Sequence, residues 1–150
     1  MRQILLIIIG LSSLTVAQTP RFIKVNGVVI DSKTTLEWQD DYSDIDNGGD
    51  IKYATWTEAI DYCEALSLNG KDDWRLPNKN ELLSIVDYSR EYPSLSSIFE
   101  NNARYCHCYW TSTTYAVSTD SAWSISFRYG ETSFRNKNDN NYVRCVRGGQ

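Results

Sequence analysis

The segment Cys106-His107-Cys108 concentrates the side chains in this sequence that most resemble a metal or redox site. Thiolate and imidazole groups are the usual protein ligands of zinc, and a thiol beside an imidazole is the pair that cysteine nucleophiles use. Zinc requires four ligands, or three and a water molecule, and His107 is the only histidine of the chain. The pattern therefore favours a disulfide or loop role over a metal site. Three states stay open for Cys106 and Cys108: a bond to each other, two free thiols, or a bond to a partner chain.

The N-terminal residues resemble a secretory signal. Arg2 supplies a positive start, Ile4–Leu14 is apolar, and Thr15-Val16-Ala17 offers small residues for cleavage. The apolar run is shorter than the roughly 20 residues that span a bilayer. We expect residues 1–17 to be removed, leaving no stable membrane span and a protein that is secreted, periplasmic or at the cell surface. Disulfides are the default state of cysteines in such compartments.

The length and the charge of the chain limit the number of domains and the kinds of partner to expect. The 150 residues suit one hydrophobic core, so 18–150 is predicted to be a single domain. The chain is acidic, with a formal net charge of −4, which argues against a nucleic-acid partner. The segment Ser121–Gln150 is the exception, because it holds five Lys or Arg against two acidic residues, a balance of +3.

The basic residues of this segment are the candidate ligand contacts. Arg128, Arg135 and Lys137 flank a predicted hairpin, Tyr129 is beside them, and Arg147 follows the last predicted strand. If these side chains share a face, they would attract the sulfates or carboxylates of an acidic glycan. The alternative is an ordinary solvated β-surface. A glycan or a cell-surface protein is therefore the expected partner.

Two oxygen-rich stretches raise the question of calcium. The loop Asp40–Asp50 clusters acidic side chains, but it departs from the EF-hand pattern because Gly48 stands at the third ligand position counted from Asp44. Asn138–Asn141 is the second stretch. We expect no metal or other cofactor, with calcium binding as the weaker alternative. Nor does the sequence set any two carboxylates at a separation typical of glycosidases, so we expect a non-enzyme.

Two helices and several strands must position these residues. Thr55 and Glu58 have the spacing of a capping box and predict a helix to Leu68, with an apolar stripe that includes Cys63. Asn78 and Glu81 repeat that spacing and predict a second helix.

Strands are predicted on both sides of the helices. Short strands are expected within Phe22–Gln39, and further strands at Tyr109–Tyr115, Trp123–Tyr129 and Tyr142–Arg147, with a turn after Tyr129. This order of elements predicts an α+β domain.

Several motifs in succession resemble the Lcl C-terminal domain family, found in exported and surface proteins of bacteria. The motifs are Trp74-Arg75-Leu76-Pro77, Asn80-Glu81-Leu82, Tyr109-Trp110-Thr111-Ser112-Thr113, Ala122-Trp123 and Tyr142-Val143-Arg144-Cys145-Val146-Arg147. The resemblance implies a fold similar to the C-type-lectin-like group and to the formylglycine-generating enzymes, with two helices packed on short antiparallel sheets and long loops. It also implies a disulfide between Cys63 and Cys145. The founding member is associated with adhesion and with sulfated polysaccharides.

Most residues of the shared motifs are expected to be structural, because the resemblance runs through them while the roles of family members vary. These residues are Trp74, Arg75, Pro77, Glu81, Trp110, Trp123 and Arg144. The function expected is recognition without catalysis at or outside the cell surface. Two alternatives are a structural component of an envelope assembly, joined through Cys106 or Cys108, and an enzyme related to the formylglycine-generating enzymes. The sequence does not set the oligomeric state.

Overall fold

A computed structural model describes residues 18–43, 49–103 and 108–149. The predicted signal peptide lies outside these residues. The fold is mixed α+β, as predicted, with two helices and two sheets. Among the described residues, no helix is both long and apolar enough to cross a membrane.

The first sheet has four strands in the spatial order β1-β2-β3-β9, all antiparallel. Its strands are β1 (Phe22–Val25), β2 (Val28–Asp31), β3 (Leu36–Gln39) and β9 (Val146–Gly148). The second sheet has the order β4-β8-β5-β6-β7. Its strands are β4 (Tyr53–Ala54), β5 (Cys108–Thr114), β6 (Ser121–Ser126), β7 (Glu131–Asn136) and β8 (Asn141–Tyr142).

Both predicted helices form, and the first is shorter than the sequence pattern indicates. Helix α1 spans Trp56–Ala65 and helix α2 spans Lys79–Ser84, and each begins with the expected capping box. The prediction that α1 continues to Leu68 is wrong. Leu68 instead pairs with Lys71 across a turn at Asn69-Gly70, where both residues have a positive φ, so the helix ends before this turn.

The two faces of the second sheet are covered by different cores. Trp110 on β5 packs into a cluster with α1, and Tyr109, its neighbour on the opposite face, packs into a second cluster with Leu82 of α2. Successive side chains of a strand point to opposite faces, which explains this division. The sheet is therefore sandwiched between the two helices over part of its area.

The expectation of one strand over Tyr142–Arg147 is wrong, because this segment belongs to two sheets. Tyr142 ends β8 in the second sheet, and Val146 begins β9 in the first. Cys145 lies between these strands and forms the expected disulfide with Cys63 of α1. The cysteines are 82 residues apart in sequence, so closure of this loop is worth about 4 kcal/mol through the unfolded state.

The segment before α2 is held by packing and by hydrogen bonds to the first sheet. Trp74 is 2% exposed, and the backbone of Arg75 exchanges two hydrogen bonds of 2.9 Å with Val146. The Arg75 guanidinium donates two hydrogen bonds to Glu81, at 2.7 and 2.8 Å. Because Glu81 also accepts from the backbone N–H of Asn78, this ion pair fastens the start of α2 to the first sheet.

Candidate functional site

A polar cavity lies on the second sheet where α1 no longer covers it. Its volume is about 540 Å³. The lining comes from the start of β5, the end of β6, the following turn and β7: Cys108, Ser126, Arg128, Tyr129, Glu131, Thr132, Ser133 and Arg135. Two positive charges and one negative charge therefore share one cavity with several hydroxyl groups.

Strand alternation and register bring these residues together. Glu131, Ser133 and Arg135 alternate along β7, so they point to one face of the sheet. Ser126 pairs with Glu131 on one side and with Cys108 on the other, which places both on that same face.

The turn between β6 and β7 requires a glycine. Gly130 has a φ of +76°, a conformation that favours glycine, and its N–H donates to the carbonyl of Ser126 at 3.0 Å. A Cβ atom there would stand 2.5 Å from Cγ1 of Val86. The tight turn sets Arg128 and Tyr129 beside β7.

Arg128 is held between two tyrosines. Its guanidinium lies 4.7 Å from the ring centroid of Tyr92 and 5.1 Å from that of Tyr129, and it donates a hydrogen bond to the Tyr92 hydroxyl. The two tyrosine hydroxyls hydrogen-bond to each other. That bond and desolvation raise the pKa of Tyr129, so its phenol stays neutral. These contacts orient Arg128 before any ligand arrives.

Arg135, in contrast to Arg128, is open to solvent. Its side chain is exposed and forms no hydrogen bond or ion pair with any described residue, and the same is true of Glu131. A planar guanidinium with open donors is well suited to a carboxylate or sulfate, since it can donate two parallel hydrogen bonds.

Cys108 lies at the floor of the cavity. Its thiol is free and its residue is 6% exposed. Cys106 falls outside the described residues, so a bond between Cys106 and Cys108 stays a prediction. The expectation that Cys108 lies in a loop is wrong, because this residue begins β5.

Two residues predicted to share this surface are not part of the cavity lining. Arg147 belongs to β9 of the first sheet, where it forms ion pairs with Glu37 and Asp73, both at 2.6 Å. Lys137 donates to the hydroxyl of Thr114 at 3.0 Å and lies 4.0 Å from the centroid of the Trp56 ring. Arg128, Tyr129 and Arg135 therefore line one cavity. Lys137 follows Arg135 on the same face of the second sheet but outside the lining, and Arg147 lies on the first sheet.

Arg144 is buried in the protein interior, as its expected structural role requires. It is 0% exposed and forms an ion pair with Asp40 at 3.0 Å, and it also donates to the carbonyl of Gln39 at 2.9 Å. Burial disfavours its charge, but Tyr42, Tyr109 and Asp40 outweigh this effect and raise its pKa above the ordinary value.

Asp40, the first residue of the acidic loop, is not solvated but paired in the interior. The carboxylate is buried and accepts hydrogen bonds from Arg144, from Lys24 at 2.6 Å and from two backbone N–H groups of the 100–101 segment. Residues 44–48 of the same loop lie outside the described residues. In the part of the chain that is described, no group of three or more His, Cys, Asp and Glu side chains is placed to hold a metal ion.

The two remaining tryptophans of the motifs differ in environment. Trp110 is fully buried, and its indole N–H donates to the carbonyl of Ala54 at 2.9 Å. Trp123 is only partly buried, and the ammonium of Lys79 lies 3.6 Å from its ring centroid. Tyr115 and Phe134 stack on each other beside it, with centroids 4.3 Å apart. Trp123 is thus part of a surface aromatic cluster rather than of the core.

A comparison with known protein families identifies the family of this domain. The model of the Lcl C-terminal domain family matches residues 27–147. The chain belongs to this family. No curated protein matches the chain. Both sheets, both helices and the cavity fall within the matched part of the Lcl C-terminal domain, apart from the outer strand β1 and the last residue of β9.

Proposed function

We propose that this protein is an exported recognition module that binds an acidic or sulfated glycan in the cavity beside β7. The observation that carries the proposal is the convergence of Arg128 and Arg135 on one polar cavity. Arg128 is already oriented by two tyrosine rings, and Arg135 has open donors. A ligand that offers two separated anionic groups would use both guanidinium groups.

The lining also suits a sugar between its charged groups. Ser126 and Ser133 bring hydroxyls to the cavity, and each hydroxyl can donate and accept a hydrogen bond. The Tyr129 side chain is 41% exposed, so part of its ring is accessible for contact with a pyranose face. Glu131 is the one acidic group of the lining, and it would disfavour ligands whose negative charge is dense at that end.

The same proposal includes binding without catalysis and without calcium, export to the periplasm or cell surface, and a C-type-lectin-like arrangement of the two sheets. Family membership supports the fold, and the signal-like N-terminus supports export. A cell-surface protein with an acidic patch is the second partner that would fit the same two arginines.

A glycan array at low and at physiological salt, with and without calcium, tests the proposal. We expect selective binding to sulfated or uronic-acid glycans that weakens with salt, because exposed charges are screened over about 8 Å at physiological ionic strength. Calcium should make no difference. Binding to neutral sugars that is insensitive to salt would contradict the proposal, and a blank array would favour a protein partner.

A further inference from the structure

Strand β7 is an open edge of the second sheet. It pairs with β6 on one side, and no described strand pairs with its other side. Five of its six residues are exposed. The edge strands β4, β9 and β1 are shorter, with two, three and four residues. An open edge of this length is a template for pairing with another strand.

The register shows which backbone groups of β7 are available. The N–H of Lys137 donates to the carbonyl of Asp120 at 2.8 Å, which continues the pairing of Ser121 with Asn136. Hydrogen-bonded and non-hydrogen-bonded pairs alternate in an antiparallel ladder. Thr132, Phe134 and Asn136 therefore direct their N–H and C=O groups outward.

One of these groups is already used. The carbonyl of Asn136 accepts a hydrogen bond from the N–H of Asp139 at 2.9 Å. Thr132 and Phe134 remain, each with an outward N–H and an outward C=O. An antiparallel second copy centred on Ser133 would set Thr132 opposite Phe134 of the partner, and each such pair exchanges two hydrogen bonds.

The side chains agree with this register. In a two-fold arrangement centred on Ser133, Glu131 lies opposite Arg135 of the second copy, and Arg135 lies opposite its Glu131. Both side chains are exposed and have no partner among the described residues. Opposite charges directly across a β-ladder stabilise pairing, and like charges oppose it.

If the two strands were instead centred on Phe134, Glu131 and Arg135 would no longer lie opposite each other. Glu131 would then face Lys137 of the second copy, whose ammonium already contacts Thr114 and the ring of Trp56. That arrangement would also need the carbonyl of Asn136, which is occupied. The centre at Ser133 uses the free backbone groups and the free charges together.

We propose that β7 pairs with β7 of a second copy of this chain, antiparallel and centred on Ser133. The two five-stranded sheets would become one continuous sheet, with the cavities of both copies side by side on one face. Phe134, whose side chain is 48% exposed, would gain a neighbour on the opposite face. The contact is small, so we expect a dissociation constant on the order of 10–100 µM.

Charge-reversed variants test the register without any glycan. Sedimentation velocity of the wild-type protein from about 10 µM to about 1 mM, a range chosen to bracket the expected constant, should show a monomer–dimer equilibrium. Glu131→Arg alone and Arg135→Glu alone should each remain monomeric, because both put like charges opposite each other twice. An equimolar mixture of the two variants should dimerise, because one chain then carries only positive charges at these two positions and the other carries only negative ones.

Lys33→Glu is the matched control, since it reverses one exposed charge in the turn between β2 and β3 and should dimerise like the wild type. Thermal unfolding of each variant checks that it is folded. A wild type that stays monomeric, single variants that still dimerise, or a mixture that fails to dimerise would each overturn the proposal. No ligand is present, so a failure to dimerise would leave the glycan proposal untouched. A confirmed dimer would pair Arg135 with Glu131 of the second copy, so dimerisation and glycan binding would compete for this side chain.

Discussion

Arg144 and Arg135 carry the same guanidinium group but occupy opposite environments in this domain. Arg144 is fully buried, and its two terminal nitrogens donate to Asp40 and to carbonyls of the neighbouring segments, while its Nε–H has no hydrogen-bond partner among the described residues. Arg135 is exposed beside a cavity and bonds to no described residue. A third arginine, Arg128, is intermediate, because two aromatic rings orient it while its side chain lines the cavity.

We expect the buried arginine to contribute to stability and the exposed arginine to contribute to recognition. A buried guanidinium has lost its hydration, so its contribution depends on protein partners that must stay in place. An exposed one keeps its water and contributes little to folding, but its donors can turn to a ligand. We therefore expect the two sites to respond to mutation in opposite ways.

The largest effect is expected from Arg144→Ala. Asp40 would stay buried without this partner, and Lys24 would compensate only in part. We expect the free energy of unfolding in urea to fall by about 3 kcal/mol. A loss below about 1 kcal/mol would show that the buried pair is not needed for stability.

Acid should weaken the structural ion pairs by protonating their carboxylates. Burial works to raise the pKa of Asp31, but hydrogen bonds from Arg21, from the Lys33 N–H and from Thr34 outweigh it and lower the pKa below its ordinary value of 3.8. Partial burial likewise opposes ionisation of Glu81, and Arg75 and the Asn78 N–H lower its pKa below 4.5.

The sign of the pH effect follows from these shifts. A carboxylate whose pKa is lower in the folded state stabilises the protein fully above its unfolded pKa, and this contribution is lost as pH falls through the folded pKa. We expect the urea midpoint to decline steadily as the pH falls below about 4.5. Glu81→Gln should flatten this decline, whereas an unchanged slope would contradict the role of its ion pair.

An intermediate effect is expected from Arg75→Ala. This side chain is 37% exposed, so solvent screening reduces the value of its pair with Glu81. We expect a loss of about 1 kcal/mol, chiefly because the start of α2 is no longer tied to the first sheet. Arg75→Lys should recover less than half of it, since an ammonium cannot form the two parallel bonds.

The smallest effect on folding is expected from Arg135→Gln. The side chain has no described partner, so the free energy of unfolding should change by less than about 0.5 kcal/mol. A larger loss would mean that Arg135 supports the fold, and the contrast with Arg144 would fail.

Local signals in the sequence predicted the local structure. The starts of both helices follow from Thr55 with Glu58 and from Asn78 with Glu81, because capping acts within one turn. The turn signal after Tyr129 was sufficient to predict a hairpin beside Arg135, and the turn forms at Gly130. The pairing of Cys63 with Cys145 came from the family resemblance.

Long-range partners could not be predicted in this way. No local pattern indicates that Arg147 reaches Glu37 and Asp73, or that Asp40 is buried against Arg144. Cys108 and Ser126 reach the cavity through the register between β5 and β6, which depends on tertiary packing. The sequence shows which charged residues a segment contains. Only the fold shows which of these charges already form ion pairs.

Binding of an anionic ligand by the free arginine beside β7 is tested most directly by calorimetric titration with a sulfated oligosaccharide. At low salt, Arg135→Gln should weaken binding by about tenfold, the loss of one charge-assisted hydrogen-bonded pair. Lys33→Gln removes the same charge from the turn between β2 and β3 and should weaken binding less than about twofold. Equal losses in the two variants would mean that only net charge attracts the ligand and would contradict a site at Arg135.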